Sequence, residues 1–200
     1  MAKSWLVTMR EAGLRKDFGG ADSNESRTNQ KTKDKLHTKY WNENGRDCYE
    51  IYAKGLNIDN SQIRDYWQWT TSTRDGVEVA EAVKVKWLGV NGSFKTINLT
   101  YEVEYKVSFL LRTKSPTPST STSVGNMKQQ KVNLTLTLPN GTNQENQLWL
   151  PETSEQWQER EAGHFKMTTE VVGEMKFAMW QQFDSWMGGL IIKGVLIKPR

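Results

Sequence analysis

The residues best suited to bind another molecule are aromatic, and they cluster in the run Tyr66-Trp67-Gln68-Trp69. In an extended strand Trp67 and Trp69 point to the same side, so the pair either fills a core or offers indole faces to a ligand. An indole face stacks on the apolar C–H face of a sugar ring, and sugar hydroxyls then need donors and acceptors close by. Asn57, Asp59, Asn60, Gln62 and Asp65 supply that polar inventory just upstream. Reversible stacking and hydrogen bonding is the chemistry this pattern offers. The spacing leaves open that at least one of the two indoles is core.

Residues that make and break bonds are harder to find. The chain has no Walker loop, dinucleotide fingerprint, G-x-S-x-G or H-E-x-x-H motif. Its two histidines are His37 and His164, the latter expected in a loop or at a strand edge. With Cys48 the single cysteine, no thiolate zinc cluster and no intrachain disulfide can form. Glu102 and Glu104 would share one strand face and approach each other as a glycosidase pair does, at roughly 5–9 Å. Lys106 falls on the same face, so the set is expected to be a solvated, charge-mixed surface. The sequence therefore predicts a non-enzyme without metal or cofactor.

The elements that position these residues show a period of two. Tyr101–Phe109 alternates five apolar residues with Glu102, Glu104, Lys106 and Ser108. Lys131–Leu138 repeats the device, and Val83, Val85 and Trp87 alternate with Lys84 and Lys86. Shorter strands are expected at Cys48–Ala53, Gly173–Trp180 and Leu190–Lys198. Turn signals stand at Asn91-Gly92, Pro139-Asn140-Gly141 and Gly188-Gly189, and the low-complexity stretch 115–123 is expected to be a flexible loop. Six to nine short strands and no long helix predict an all-β fold, two antiparallel sheets packed face to face.

Charge divides the chain. Residues 1–39 hold nine Lys/Arg and five Asp/Glu, whereas residues 40–200 hold eighteen of each, so the whole net charge of +4 lies in the first segment. That segment is polar and Gly/Ser/Asn-rich, which predicts a basic, disordered tail at 1–39 and a folded body at 40–200. No apolar h-region opens the chain and no 18-residue apolar run occurs, so neither signal peptide nor membrane span is expected. A lone cysteine fits a reducing compartment. The expected location is cytoplasmic or nucleocytoplasmic.

The order of motifs across the body is similar to a known family. Lys39-Tyr40-Trp41 leads to the run 48–58 (C-Y-E-I-Y-A-K-G-L-N-I), then Asp65-Tyr66-Trp67-Gln68-Trp69, then Val85-Lys86-Trp87-Leu88 and Gly92-Ser93-Phe94. Trp186 and the run 188–200 (G-G-L-I-I-K-G-V-L-I-K-P-R) close it. This succession, over residues 39–200, resembles the plant phloem protein 2 family, which includes sugar-binding lectins. The resemblance implies a jelly-roll-like β-sandwich that binds N-acetylglucosamine oligomers or N-glycan cores without catalysis, in the cytoplasm, nucleus or phloem sap. It also implies that Trp67 and Trp69, with Tyr66, stand at the family's sugar-binding aromatics. Asn60 replaces a further tryptophan, and Lys166 occupies the position of a carboxylate.

The function expected is therefore that of a carbohydrate-binding lectin, with Trp67, Trp69, Tyr66 and Asn60 as the contact set and glycans as partners. Two alternatives stay open at this point. The basic tail could engage RNA phosphates, or a fold that has lost sugar binding could serve as a structural or protein-interaction part. A homodimer would strengthen a weak single site.

Overall fold

In the computed structural model residues 32–33 and 37–41 are described as strand backbone, and residues 44–72, 76–115, 124–128, 130–152 and 156–200 in full. In chain order the described strands are β1 (Thr32–Lys33), β2 (His37–Trp41), β3 (Asp47–Tyr52), β4 (Asn57–Ile58), β5 (Trp67–Thr71), β6 (Glu78–Ala82) and β7 (Val85–Lys95). They continue as β8 (Glu104–Thr113), β9 (Gly125–Asn126), β10 (Lys131–Thr137), β11 (Asn143–Trp149), β12 (Gln158–Lys166), β13 (Glu174–Gly188) and β14 (Leu190–Pro199). The only described helices are three 3-10 turns of three residues each.

Two sheets result. In the first, β14 is central, with β8 and then β12 on one side. On its other side β14 pairs β3 through Gly194–Ile197, which continues to β2 and β1, and β6 through Ile191–Ile192, which continues to β5. The second sheet runs β11-β10-β13-β7-β4, antiparallel throughout, with β9 parallel to the end of β13. The sheets face each other across an apolar core in which Phe109 meets Phe177 edge to face at 6.2 Å. Leu88, Leu111, Leu134, Leu136, Met175 and Met179 fill the space around them, and burying each such side chain contributes about 1.5–3 kcal/mol. This is the all-β sandwich that the alternation predicts.

Local chemistry explains the connections. Gly189, with φ +90, joins β13 to β14, and a Cβ there would come within 2.2 Å of the Lys114 carbonyl oxygen. Gly141, with φ +87, closes the turn between β10 and β11. Asn91-Gly92 is not a turn but lies inside β7. A Cβ at Gly92 would stand 2.7 Å from the Phe177 ring, so this glycine makes room for a core side chain.

Four further expectations change. β8 begins at Glu104, since Glu102 adopts φ +63 before the strand. Trp87 does not share the dry face with Val85 and is 39% exposed. β2 spans the boundary drawn between residues 39 and 40. Fourteen described strands exceed the six to nine expected, because β1, β4 and β9 are only two residues long and β11 and β12 lack apolar alternation. The expected disordered tail, up to residue 31, and the loop at 116–123 lie outside the described residues.

β11 and β12 are edge strands of different sheets and close the sandwich along one side. Gln144 of β11 donates to the His164 carbonyl at 2.7 Å and accepts from the His164 amide at 3.0 Å. Asn146 donates to the Ala162 carbonyl at 3.1 Å, and Arg160 Nε donates to the Trp149 carbonyl at 2.8 Å. Side-chain amides thus satisfy edge backbone groups that would otherwise face water or another chain.

Candidate functional site

The expected contact residues do not form a common exposed platform. Trp67 is 2% exposed and belongs to the core, so neither face of its ring is open to a ligand; this corrects its expected role as the stacking surface. Its indole N–H donates to the Asp59 carbonyl at 3.0 Å. Trp69, half-buried on the same side of β5, donates to the Ser61 carbonyl at 3.2 Å, while Lys54 Nζ sits 3.9 Å from the centre of its ring. Both indoles therefore pin the segment 59–61. Asn60 is exposed with φ +60, a left-handed conformation that asparagine enters more readily than most residues. Tyr66 is half-buried with its ring 5.8 Å from Trp186.

Asp59 links this buried pair to an exposed one. Its carboxylate accepts the indole N–H of Trp87 at 2.7 Å, and its amide donates to the Gly89 carbonyl at 2.9 Å. Trp87 in turn stacks with Trp180, ring centres 6.1 Å apart and planes inclined by 25°. Trp180, at 41%, and Trp87, at 39%, are among the most exposed large side chains described. A Cβ at Gly89 would lie 2.0 Å from the Asp59 carboxylate and 2.6 Å from the Trp87 indole nitrogen, so only glycine leaves this arrangement undisturbed.

The register of the second sheet continues the site along its outer face. Gln147, Asn133, Trp180 and Gly89 lie in one cross-strand row; Glu145, Thr135, Ala178, Asn91 and Asn57 form the next. Asn143, Thr137, Lys176 and Ser93 form the third, about 7 Å further on at two residues per step. Apart from Glu145 and Lys176 the side chains of these rows carry no charge. A shallow trough lined by Asn57, Asn91, Ser93, Thr135 and Thr137 runs over the small residue Ala178. Asn133 Nδ2 donates to the Trp180 carbonyl and to Gln181 Oε1 at 3.3 and 3.0 Å, which fixes its orientation beside the aromatic pair.

The ionisable groups cluster on the other sheet. Burial pushes the Glu159 carboxyl up, but hydrogen bonds and charge from Lys106 and Lys198 outweigh it and hold it below the usual glutamate value. Lys166 pairs with Glu102 at 2.5 Å; the hydrogen bond from Lys166 lowers the Glu102 pKa and raises that of Lys166. Lys166 lies on β12, with β8, β14 and β6 between it and β5, so it is not a neighbour of Trp67. Glu104 faces Arg200 at 3.5 Å, and so the two carboxylates of the glycosidase pattern serve separate ion pairs. His164 is exposed, its Nδ1 2.9 Å from Glu161 Oε1. No metal-holding cluster occurs among the described residues, and no described helix is long and apolar enough to cross a membrane.

Sequence reasoning missed Trp87, Trp180 and the polar rows, although parity carried the signal. Met175, Phe177 and Met179 alternate inward, which puts Trp180 on the wet face. Trp87 is concealed because β13 slips against β7 next to it, from Gln182 opposite Trp87 to Met187 opposite Val85.

The sequence of this sandwich, with its aromatic pair beside rows of neutral amides and hydroxyls, matches the phloem protein 2 model over residues 46–199. The chain belongs to the phloem protein 2 family. It is 35% identical to the protein Phloem protein 2-like A1 of Arabidopsis thaliana over 84% of this chain and 68% of that one. It is 29% identical to a protein named "Lectin" from Luffa acutangula, over 81% of this chain and 76% of the other. Among solved structures, TmCBM61 in complex with β-1,4-galactotriose overlaps 72% of this chain and 87% of its own, at 10% identity and a TM-score of 0.41.

Proposed function

We propose that this chain is a non-catalytic carbohydrate-binding protein that holds a glycan on the outer face of its second sheet. The observation that carries the reading is the exposed Trp87–Trp180 stack beside the neutral rows of Asn57, Asn91, Asn133, Thr135 and Thr137. The rings take the apolar face of a sugar, and the amides and hydroxyls exchange hydrogen bonds with its substituents. Membership of a family with a lectin among its relatives supports the same reading. Within it, Trp67 is a positioning residue that acts through Asp59 on Trp87, while Trp69, Tyr66 and Asn60 shape the bordering segment.

N-acetylglucosamine oligomers or N-glycan cores are the ligands proposed, since an acetamido group both donates and accepts and matches asparagine side chains well. The body from residue 40 onward is the binding unit, and the setting is the cytoplasm or the phloem sap. Calorimetric titration of the full chain with chitotriose and with a high-mannose glycan tests this. Saturable binding weakened about tenfold by Trp87→Ala is expected from the loss of one stacking surface. A folded protein that takes up neither sugar would overturn the reading.

A further inference from the structure

Beside the aromatic pair, β13 departs from its partner. Phe183–Trp186 stand opposite Lys86 alone, because Gln182 pairs with Trp87 and Met187 with Val85. The bulge carries Trp186 out to two cations: Lys84 Nζ lies 4.9 Å from its ring centre and Lys86 Nζ 5.4 Å. Tyr66 backs the same ring at 5.8 Å. No described carboxylate, that of Asp184 in the bulge included, comes within 4.0 Å of either lysine. A ring quadrupole attracts an ammonium without neutralising it, so two like charges share one indole and neither is compensated. Several lysines elsewhere on the body do find acids: Lys106 and Lys198 share Glu159, Lys114 takes Glu81 and Lys166 takes Glu102.

We infer that the glycan recognised at Trp87 and Trp180 carries an anionic group, a carboxylate, sulfate or phosphate, bound by Lys84 and Lys86 beside Trp186. The inference rests on the proposed glycan site; Val85 and Leu88 are both buried while Lys86 and Trp87 between them are both exposed, so the alternation of β7 breaks there and the lysine adjoins the aromatic pair along the strand. The shared chemistry is an anionic oxygen group on a saccharide; the three sources differ in charge and geometry. A nucleic acid is disfavoured, because the body holds eighteen basic and eighteen acidic residues and the adjoining face is nearly neutral.

The test uses the full chain and compares chitotriose with its 6-carboxylate, 6-sulfate and 6-phosphate derivatives, with a single-stranded RNA decamer alongside. At low salt at least one acidic derivative should bind about tenfold more tightly than chitotriose, as two exposed charge contacts allow. The advantage should shrink at about 0.5 M salt. It should vanish in Lys84→Gln/Lys86→Gln, whose chitotriose affinity stays that of the unsubstituted chain. The derivative that gains most identifies the group. Chitotriose binding with no gain from any acid, or a gain that survives the double substitution, overturns the inference and leaves the glycan site standing. RNA captured through these lysines while the acidic sugars gain nothing overturns it in favour of a nucleic acid. If no sugar binds at all, the site and the inference fall together.

Discussion

Trp67 and Trp87 each stand near the start of a strand and donate an indole proton to Asp59, and they differ in what their rings touch. Trp67 gives its N–H to the Asp59 carbonyl and buries its ring in the core. Trp87 gives its N–H to the carboxylate of the same residue and keeps its ring partly exposed at the surface against Trp180. Two regions that share one aspartate thus divide the work: β5 anchors the segment 59–61, and β7 with β13 presents the proposed binding surface. Aromatic type and spacing make a residue suitable for stacking, but only exposure makes it available.

The largest effect that would break this division is on stability. Trp67→Ala should cost about 3–5 kcal/mol, by lost transfer and a residual cavity, and lower the melting temperature by about 10 °C for a chain of this length. Trp87→Ala should shift it by less, since the ring lies at the surface outside the core and leaves no buried cavity. Thermal denaturation of both variants checks this, and a stability loss from Trp87→Ala as large as that from Trp67→Ala would contradict the division.

Next in size is Gly89→Ala. The new Cβ must displace the Asp59 carboxylate and so break its bond to Trp87. The expected outcome is a stability change of about 1 kcal/mol with glycan affinity reduced several-fold. Titration separates this from Asn91→Ala, which should weaken binding without touching the aromatic pair.

Much of the fold is legible in the sequence because alternation is a direct statement about faces. The apolar positions of Tyr105–Phe109 and Lys131–Leu138 are buried as their period demands. β11 was not legible, since at the rim its inward positions are Gln144 and Asn146, which satisfy backbone groups of β12 instead of joining a core. Asn91-Gly92 misleads for a related reason: glycine there yields space to Phe177, a need that only tertiary contact reveals. The aromatic run 66–69 is conspicuous as sequence, but conspicuous tryptophans close together are equally what a core edge needs. Trp87 and Trp180 stand about ninety residues apart, and only the pairing of β7 with β13 brings them together.

The smallest expected effect sharpens the contrast between the neutral face and the ion-paired one. Glu159→Gln should cost about 1 kcal/mol at neutral pH by removing an acid shared by Lys106 and Lys198. Because its folded-state pKa lies below the ordinary glutamate value, this contribution is fully present above pH 4.5 and is lost as pH falls through the folded value. Unfolding curves of parent and variant should therefore converge in acid, while chitotriose affinity at pH 7 remains unchanged.

The division between the two tryptophan regions is tested most directly by the indole N–H resonances of the full chain, labelled at tryptophan and titrated with chitotriose. The account predicts that the Trp87 and Trp180 signals move with the added sugar while that of Trp67 stays in place. Movement of Trp67 and Trp69, with Trp87 and Trp180 unaffected, would contradict it and return the site to the edge of β5.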